Sequence, residues 1–383
     1  MTAPSGARAT LARHAAAGTR HPILRLVSML AVAFAVVVVS LGGITAFSVW
    51  DATTALGDNA VELHPDEVIP PSLGAIEGGV DLLVVGTDSC EGQDVALFPR
   101  CANNDSPGER NDVTMLVHIT DNPRRVTVVS FPRDMLVRIP ACQGADGKQY
   151  AASNATMLNV SYFRGGLACT AQTIEELTGE DIEFAAATRW TGVINMSDAI
   201  GGVDVCVAGD ISDGNTGLNL TAGHHTLQGA QALQFLRIRH GIGDGSDLGR
   251  ISNQQQFMSS MVRKLQSESV LADPTVLFRL ATTAMSQVTS GQLVLSQSLT
   301  SPTLMVQIAM ALKDVAYKDI VFVQYPTYYR PGNGRSDLLP VTAAAEALMQ
   351  AMHDNQAITL TGETSQGYGV EVEGEAAAPP ESR

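Results

Sequence analysis

Arg237, Arg239 and Arg250 fall within fourteen residues of the stretch QALQFLRIRHGIGDGSDLGRISNQQQF (231–257), with Asp244 and Asp247 between them and Gln254 just after. The chain as a whole is acidic, with 39 Asp+Glu against 24 Lys+Arg, so three arginines this close depart from its trend. Guanidinium groups stay charged and offer planar, bidentate donors that match phosphate or pyrophosphate better than lysine does. The plainer account is a solvated helix end with surface ion pairs. Spacing argues against it. Arg237 and Arg239 follow an apolar helical run containing Leu233 and Leu236. Gly241, Gly243, Gly245 and Gly249 then let backbone approach a ligand closely. Anion recognition accounts better for the pattern.

Three other places put charge at the ends of apolar runs. Asp88 follows DLLVV and Gly86-Thr87. Glu109-Arg110-Asn111-Asp112 stands directly before VTMLVHI, and Arg133-Asp134 follows VVSF, with Pro132 ending the pairing of that run. A single Asp at such a place is ordinarily a turn or cap residue. Taken with the arginines of 237–250, however, these residues supply one cleft with several guanidinium groups and carboxylates. Carboxylates among arginines make chemical sense when Mg²⁺ bridges them to a phosphate, because that ion uses one or two carboxylates together with phosphate oxygens. There is no Walker-type glycine loop and no G-x-S-x-G elbow, which argues against nucleotide hydrolysis and serine esterase chemistry.

The elements that must position these residues are short. Strands are expected at Asp81–Val85, Val113–Ile119, Val126–Phe131, Ile182–Ala187, Val203–Val207 and Ile320–Gln324; the second and third read as a hairpin about DNPRR. Helices are expected at Thr170–Leu177, Thr191–Ala199, Leu227–Leu236, Ser252–Gln266, Thr275–Met285, Pro302–Leu312 and Ala343–His353. In Ser252–Gln266 the stripe Phe257, Met258, Met261, Val262 and Leu265 reads as core. Interleaved strands and helices of this kind predict an α/β domain with helices on both faces of a sheet.

Residues 1–25 carry four arginines and no acid, and 26–48 are uncharged. That run is long enough to span a bilayer and longer than the usual secretory core, so it predicts an anchor with the N-terminus cytoplasmic and the remainder outside. Residues 49–78 read as a spacer, 79–355 as the domain and 356–383 as an acidic disordered tail. All five cysteines lie beyond the anchor, where disulfides persist. Cys90–Cys101 and Cys142–Cys169 are the expected pairs, with Cys206 free and buried, although Cys206 could replace either member of the second pair. No C-x-x-C or clustered His spacing suggests zinc. A cytoplasmic part of about 25 residues is too short for a DNA-binding domain, so no nucleic-acid partner is expected.

The order GTDS, RNDVTMLVHI, VSFPRDMLVRIP, LNVSYFRGG, ALQFLRIRH and DLGRISNQQQF resembles the LytR-CpsA-Psr family of cell-envelope transferases over roughly residues 80–350. The resemblance implies a three-layer α/β/α domain with a mixed central sheet behind one transmembrane helix. It also implies a cell-membrane location with the catalytic domain extracellular. Its implied partners are a polyprenyl-pyrophosphate-linked glycopolymer, peptidoglycan and the membrane, and its implied cofactor is Mg²⁺. By position, Asp88 and Asp112 resemble the metal-associated acids. Arg110, Arg133, Arg237, Arg239, Arg250 and Gln254 resemble the pyrophosphate contacts. Asp88, Arg110 and Asp247 are the catalytic candidates, with Asp88 or Asp247 as the proton acceptor. Two departures stand out: Asn253 where the family usually has Arg, and Leu158 where it often has Lys. The competing expectations are an envelope hydrolase acting on the same lipid diphosphate and a non-catalytic scaffold or regulator of wall synthesis.

Overall fold

In the computed structural model the described residues run from 79 to 358, with parts of 56–73. Residues 94–96, 99–100, 103–107, 145, 208, 239–246, 267–273, 314 and 333–336 lie outside the description, as do 1–55 and 359–383. The chain divides at Ala52/Thr53 into two units, the first of them wholly outside the described residues. The apolar run 26–48 and the acidic tail beyond 358 therefore fall outside the description. Among the described residues no helix is long and apolar enough to cross a membrane.

The principal strands are β1 (Val80–Thr87), β2 (Asn111–Ile119), β3 (Val126–Ser130), β4 (Phe184–Thr188), β5 (Val203–Val207), β6 (Gly223–Leu227), β7 (Leu293–Leu295) and β8 (Ile320–Gln324). The helices are α1 (Val160–Thr178), α2 (Trp190–Ala199), α3 (Gly229–Arg237), α4 (Asp247–Gln266), α5 (Pro274–Thr289), α6 (Pro302–Lys313) and α7 (Thr342–His353). Six strands form one sheet in the order β7-β4-β1-β2-β3-β8. The β1–β2, β2–β3 and β4–β7 pairs are antiparallel, while β1–β4 and β3–β8 are parallel, so the sheet is mixed.

Strands such as DLLVV carry apolar residues on both sides because both faces of the sheet are covered. On one face Leu83, Val85, Leu116 and Val129 pack with Leu167, Ala171 and Ile174 of α1 and with Leu348 and Met352 of α7. On the other, Met115 and Val128 meet Met258 and Val262 of α4, Val288 of α5, and Leu304 and Ile308 of α6. Each fully buried Leu or Val here contributes roughly 1.5–3 kcal/mol. The result is the expected three layers. A smaller cluster joins the antiparallel β5–β6 pair to Phe235 of α3 and Phe257 of α4.

Three departures from the sequence reading bear on the frame of the domain. First, α1 starts ten residues before Thr170. Gly165 and Gly166 interrupt its periodicity, and both have non-helical dihedrals, Gly166 at φ +62°. A Cβ on Gly165 would lie 2.7 Å from Cys169 Cβ and 3.0 Å from Cys142 Cβ, so this break is where the Cys142–Cys169 disulfide crosses. Second, Cys206 is free as expected but only half-buried. Val203, Val205 and Val207 take the buried side of β5, and strand alternation leaves Cys206 on the other. Third, part of the supposed spacer belongs to the domain: Leu63 is 1% exposed within the core, and Val61 bonds to the backbone of Leu295 and Gln297. The second expected disulfide, Cys90–Cys101, is present as well.

Candidate functional site

The charged residues meet at one end of the sheet, where β1 and β3 finish, β2 begins and β4 finishes. A register shift at Gly86/Thr87 sets Thr87 opposite Asn111. Just beyond it, the Asp88 amide donates to the Arg110 carbonyl (3.1 Å), and Asp88 Oδ1 accepts the Arg110 amide (2.9 Å). This exchange fixes the backbone carrying Arg110 beside the β1 exit. The Thr87 hydroxyl donates to Glu109 Oε1 at 2.5 Å. Glu109 in turn accepts a bidentate pair from Arg189, Nε at 3.0 Å and Nη2 at 2.8 Å, and Glu91 adds a contact at 2.9 Å. Burial works against the Arg189 charge, but the Glu109 hydrogen bonds and charge outweigh it and raise its pKa further.

Asp112 is the hub between two other arginines. Its carboxylate pairs with Arg133, and its carbonyl accepts Arg250 Nη2 at 3.3 Å. Arg133 also lies 3.3 Å from Asp134, and its carbonyl accepts the Asn159 amide, tying the β3 exit to the start of α1. Arg250 is 4% exposed. Arg110 Nε is buried with no hydrogen-bond partner. Asn111, wholly buried, donates to Thr114 and uses Oδ1 to accept the Tyr162 amide (3.3 Å) and the Ser161 hydroxyl (3.4 Å). Burial, followed by the Glu109 charge, pushes the Tyr162 phenol up, so it stays protonated.

Arg237 closes α3 with its guanidinium 4.3 Å from the centroid of Trp190, the first residue of α2. Trp190 lies at a tilt against Phe98, 4.6 Å between centroids. Phe98 sits in the loop closed by Cys90–Cys101 and packs in one cluster with Cys101, Trp190 and Leu233. A disulfide-closed loop thus backs the ring on which this arginine lies, a contact type that favours Arg over Lys.

Asp88, Arg110, Asp112, Arg133 and Arg250 are brought together, and Arg237 reaches the same sheet end through Trp190. Arg239 and Asp244 lie outside the described residues, and Asp247 is described only as the backbone opening α4. Gln254 is 3% exposed and donates to the Leu236 carbonyl at 3.1 Å, bracing α4 against α3. Asn253 is wholly buried with both side-chain polar atoms unpartnered. Sequence reading passed over Arg189 and Trp190. The rule that found Arg133, a charged residue directly after a strand, also fits Arg189 after FAAAT.

Comparison with known proteins bears on the family and the fold. The model of the LytR_cpsA_psr family matches residues 52–354. Cell wall biosynthesis protein LcpA of Corynebacterium glutamicum is 29% identical over 227 residues, 54% of this chain and 44% of that protein. The polyisoprenyl-teichoic acid–peptidoglycan teichoic acid transferase TagU of Oceanobacillus iheyensis is 34% identical over 160 residues, 42% of this chain and 48% of its own length. The chain therefore spans about half the length of these curated relatives. Among solved structures, a LytR-Csp2A-Psr enzyme from Actinomyces oris aligns with TM-score 0.52 and 20% identity over 82% of this chain and 98% of its own. TagT bound to LIIa-WTA aligns with TM-score 0.55 and 18% identity, covering 78% and 100%. Motif order, fold and the extent of the family match lead to one conclusion: this chain belongs to the LytR-CpsA-Psr family.

Proposed function

We propose that the chain is a membrane-anchored phosphotransferase that moves a glycopolymer from a polyprenyl-pyrophosphate carrier to a hydroxyl of peptidoglycan. The observation that carries this reading is the convergence of Arg110, Arg133 and Arg250 with Asp88 and Asp112 at one sheet end, in a chain whose relatives include a named teichoic acid transferase. A donor set of two carboxylates facing a diphosphate suits Mg²⁺ better than a softer ion. Bound by Asp88 and Asp112, that ion would supply charge neutralisation for the diphosphate.

The chain's own groups perform the rest. Arg110, Arg133, Arg237, Arg239 and Arg250 bind the pyrophosphate oxygens, where charge is held or develops during transfer. The acceptor hydroxyl oxygen forms a bond to the phosphorus that bears the polymer, while the bond from that phosphorus to the bridging oxygen breaks. Polyprenyl phosphate departs with those electrons, and the hydroxyl proton passes to Asp88 or Asp247. The product is a phosphodiester. The uncharged run 26–48 would anchor the chain with its domain outside the cell.

The test incubates purified full-length chain with a polyprenyl-pyrophosphate-linked polymer and peptidoglycan, then separates the products. Polymer covalently bound to peptidoglycan is expected. Free phosphorylated polymer would make the chain a hydrolase, and bound lipid with no turnover would make it a scaffold. Protease added to intact spheroplasts is expected to digest the domain; full protection would overturn the topology.

A further inference from the structure

At the opposite end of the sheet, six residues along β1 from Thr87 and so about 20 Å away, lies a second constellation. Asp81 on β1 and His118 on β2 are register partners. His118 Nδ1 is 3.1 and 3.2 Å from the two Asp81 carboxylate oxygens, and their side chains are only 5% and 7% exposed. His118 Nε2 is buried and has no hydrogen-bond partner. The turn after α1 brings in Glu180, following the left-handed Gly179, and one donor atom from each of Asp81, His118 and Glu180 lies within 4.8 Å of the others. Glu183 adds a further carboxylate, its Oε2 accepting the Asp81 amide at 2.9 Å.

Charge here is unbalanced. His118 can neutralise one carboxylate and His353 faces Glu180, but the half-buried Glu180 and Glu183 remain, with the exposed Asp181 beside them. Among the described residues no Lys or Arg forms an ion pair with them. Crowded carboxylates, one of them buried, are costly in charged form unless protonated, paired or bound to a metal. A separation of 3.1 Å between nitrogen and oxygen donors also matches neighbouring ligands around an ion with bonds of about 2.0–2.2 Å. Access exists: Glu180 also lines an open groove of about 500 Å³ between the end of α1 and α7. An imidazole donor beside two carboxylates favours Zn²⁺, Mn²⁺ or Co²⁺ over Mg²⁺ or Ca²⁺.

We propose that Asp81, His118 and Glu180 bind one divalent transition-metal ion, which ties the entry end of β1 and the exit end of β2 to the turn between α1 and β4. The site is separate from the arginine end, and the proposal does not depend on the transferase reading. Sequence spacing could not show it, because the three ligands are far apart in the chain and come from three elements.

The test uses the full-length chain in detergent, stripped with EDTA and dialysed, with excess Mg²⁺ added to occupy carboxylates that prefer it. Calorimetric titration with Zn²⁺ and absorbance titration with Co²⁺ near neutral pH should show one ion per chain. His118→Gln and Glu180→Gln should each weaken binding by at least about 10-fold, since even partners outside the ligand set cost about that much. Glu180 is partly exposed, so its variant should fold even if the His118 variant does not. Absence of saturable binding overturns the proposal. So does binding that survives Glu180→Gln unchanged, which would place the ion elsewhere, for example at Asp88 and Asp112 or at the adjacent His224 and His225 of β6.

Discussion

The ion pair between Glu109 and Arg189 should be the strongest single electrostatic contact holding the functional end of the sheet. Its side chains are 18% and 15% exposed and its geometry is bidentate. Removing one partner of a fully buried pair costs about 3–5 kcal/mol, while an exposed pair contributes about 0–1 kcal/mol. Partial exposure places Glu109→Gln near 2 kcal/mol as an order-of-magnitude figure. The amide oxygen of Gln can still accept from Thr87, so the substitution isolates the charge. Glu91 also touches Arg189, but it is 77% exposed, and solvent screening limits what it can replace. At about 2–4 °C per kcal/mol for a domain of this class, the melting temperature should fall by about 4–8 °C. A double-mutant cycle adding Arg189→Gln, followed by urea unfolding, should give a coupling of about 1.5–2 kcal/mol, within the range found for residues in contact. Glu91→Gln should change stability by less than about 0.5 kcal/mol. A Glu109–Arg189 coupling below about 0.5 kcal/mol, or an effect of Glu91→Gln as large as that of Glu109→Gln, would refute the assignment.

Other outcomes follow from the same geometry. Arg237→Lys should bind polyprenyl pyrophosphate at least about tenfold more weakly in equilibrium binding, because an ammonium reproduces neither the fork nor the stacking on Trp190. Replacing Cys90 and Cys101 together by Ser should cost about 2–3 kcal/mol from their 11-residue separation, read by urea unfolding, and should weaken lipid binding by releasing Phe98 from Trp190. With chelator present, melting should occur at a higher temperature near pH 5 than near pH 8. Burial pushes Glu183 from 4.5 up to about 7, and burial likewise raises Asp81. Burial opposes charge on His118, but the Asp81 hydrogen bond and charge outweigh it and raise that pKa too. Groups raised on folding favour the native state when protonated, so stability is lost as pH climbs from about 4.5 through 7 and past the His118 pKa. A melting temperature that rises over this interval would contradict the account.

Much of this architecture was legible in the residues. Runs such as VDVCV and IVFVQ gave strands with the expected bounds, because apolar runs of this length ended by turn residues have few other uses. The charged residues flanking β1, β2 and β3 were readable for the same reason: what directly follows or precedes a buried strand sits at a sheet end. What escaped depends on long-range partnership. Arg189 finds Glu109 eighty residues away. The ladder formed by Leu136–Ile139 and Ser153–Met157 includes SNATM, whose polar residues carry no strand period. The double glycine hid the first turns of α1, since local propensity argues against a helix that tertiary packing sustains. Asn253 is the most informative departure. Its complete burial means that Asn253→Arg would have to place a guanidinium in a closed space, so the residue type at this position is coupled to packing as well as to charge.

Val61 has a wider consequence for how the domain keeps to itself. β7 forms one margin of the sheet, and a margin strand exposes amide and carbonyl groups that can recruit another chain. Val61 occupies that position, donating to Leu295 and accepting from Gln297, both at 2.8 Å, while Leu63 fills a space in the core. A shortened protein beginning at residue 79 would therefore lose both a core side chain and its guard against strand addition, and would tend to self-associate through β7. The working start of the domain is set by that guard, well ahead of the first strand.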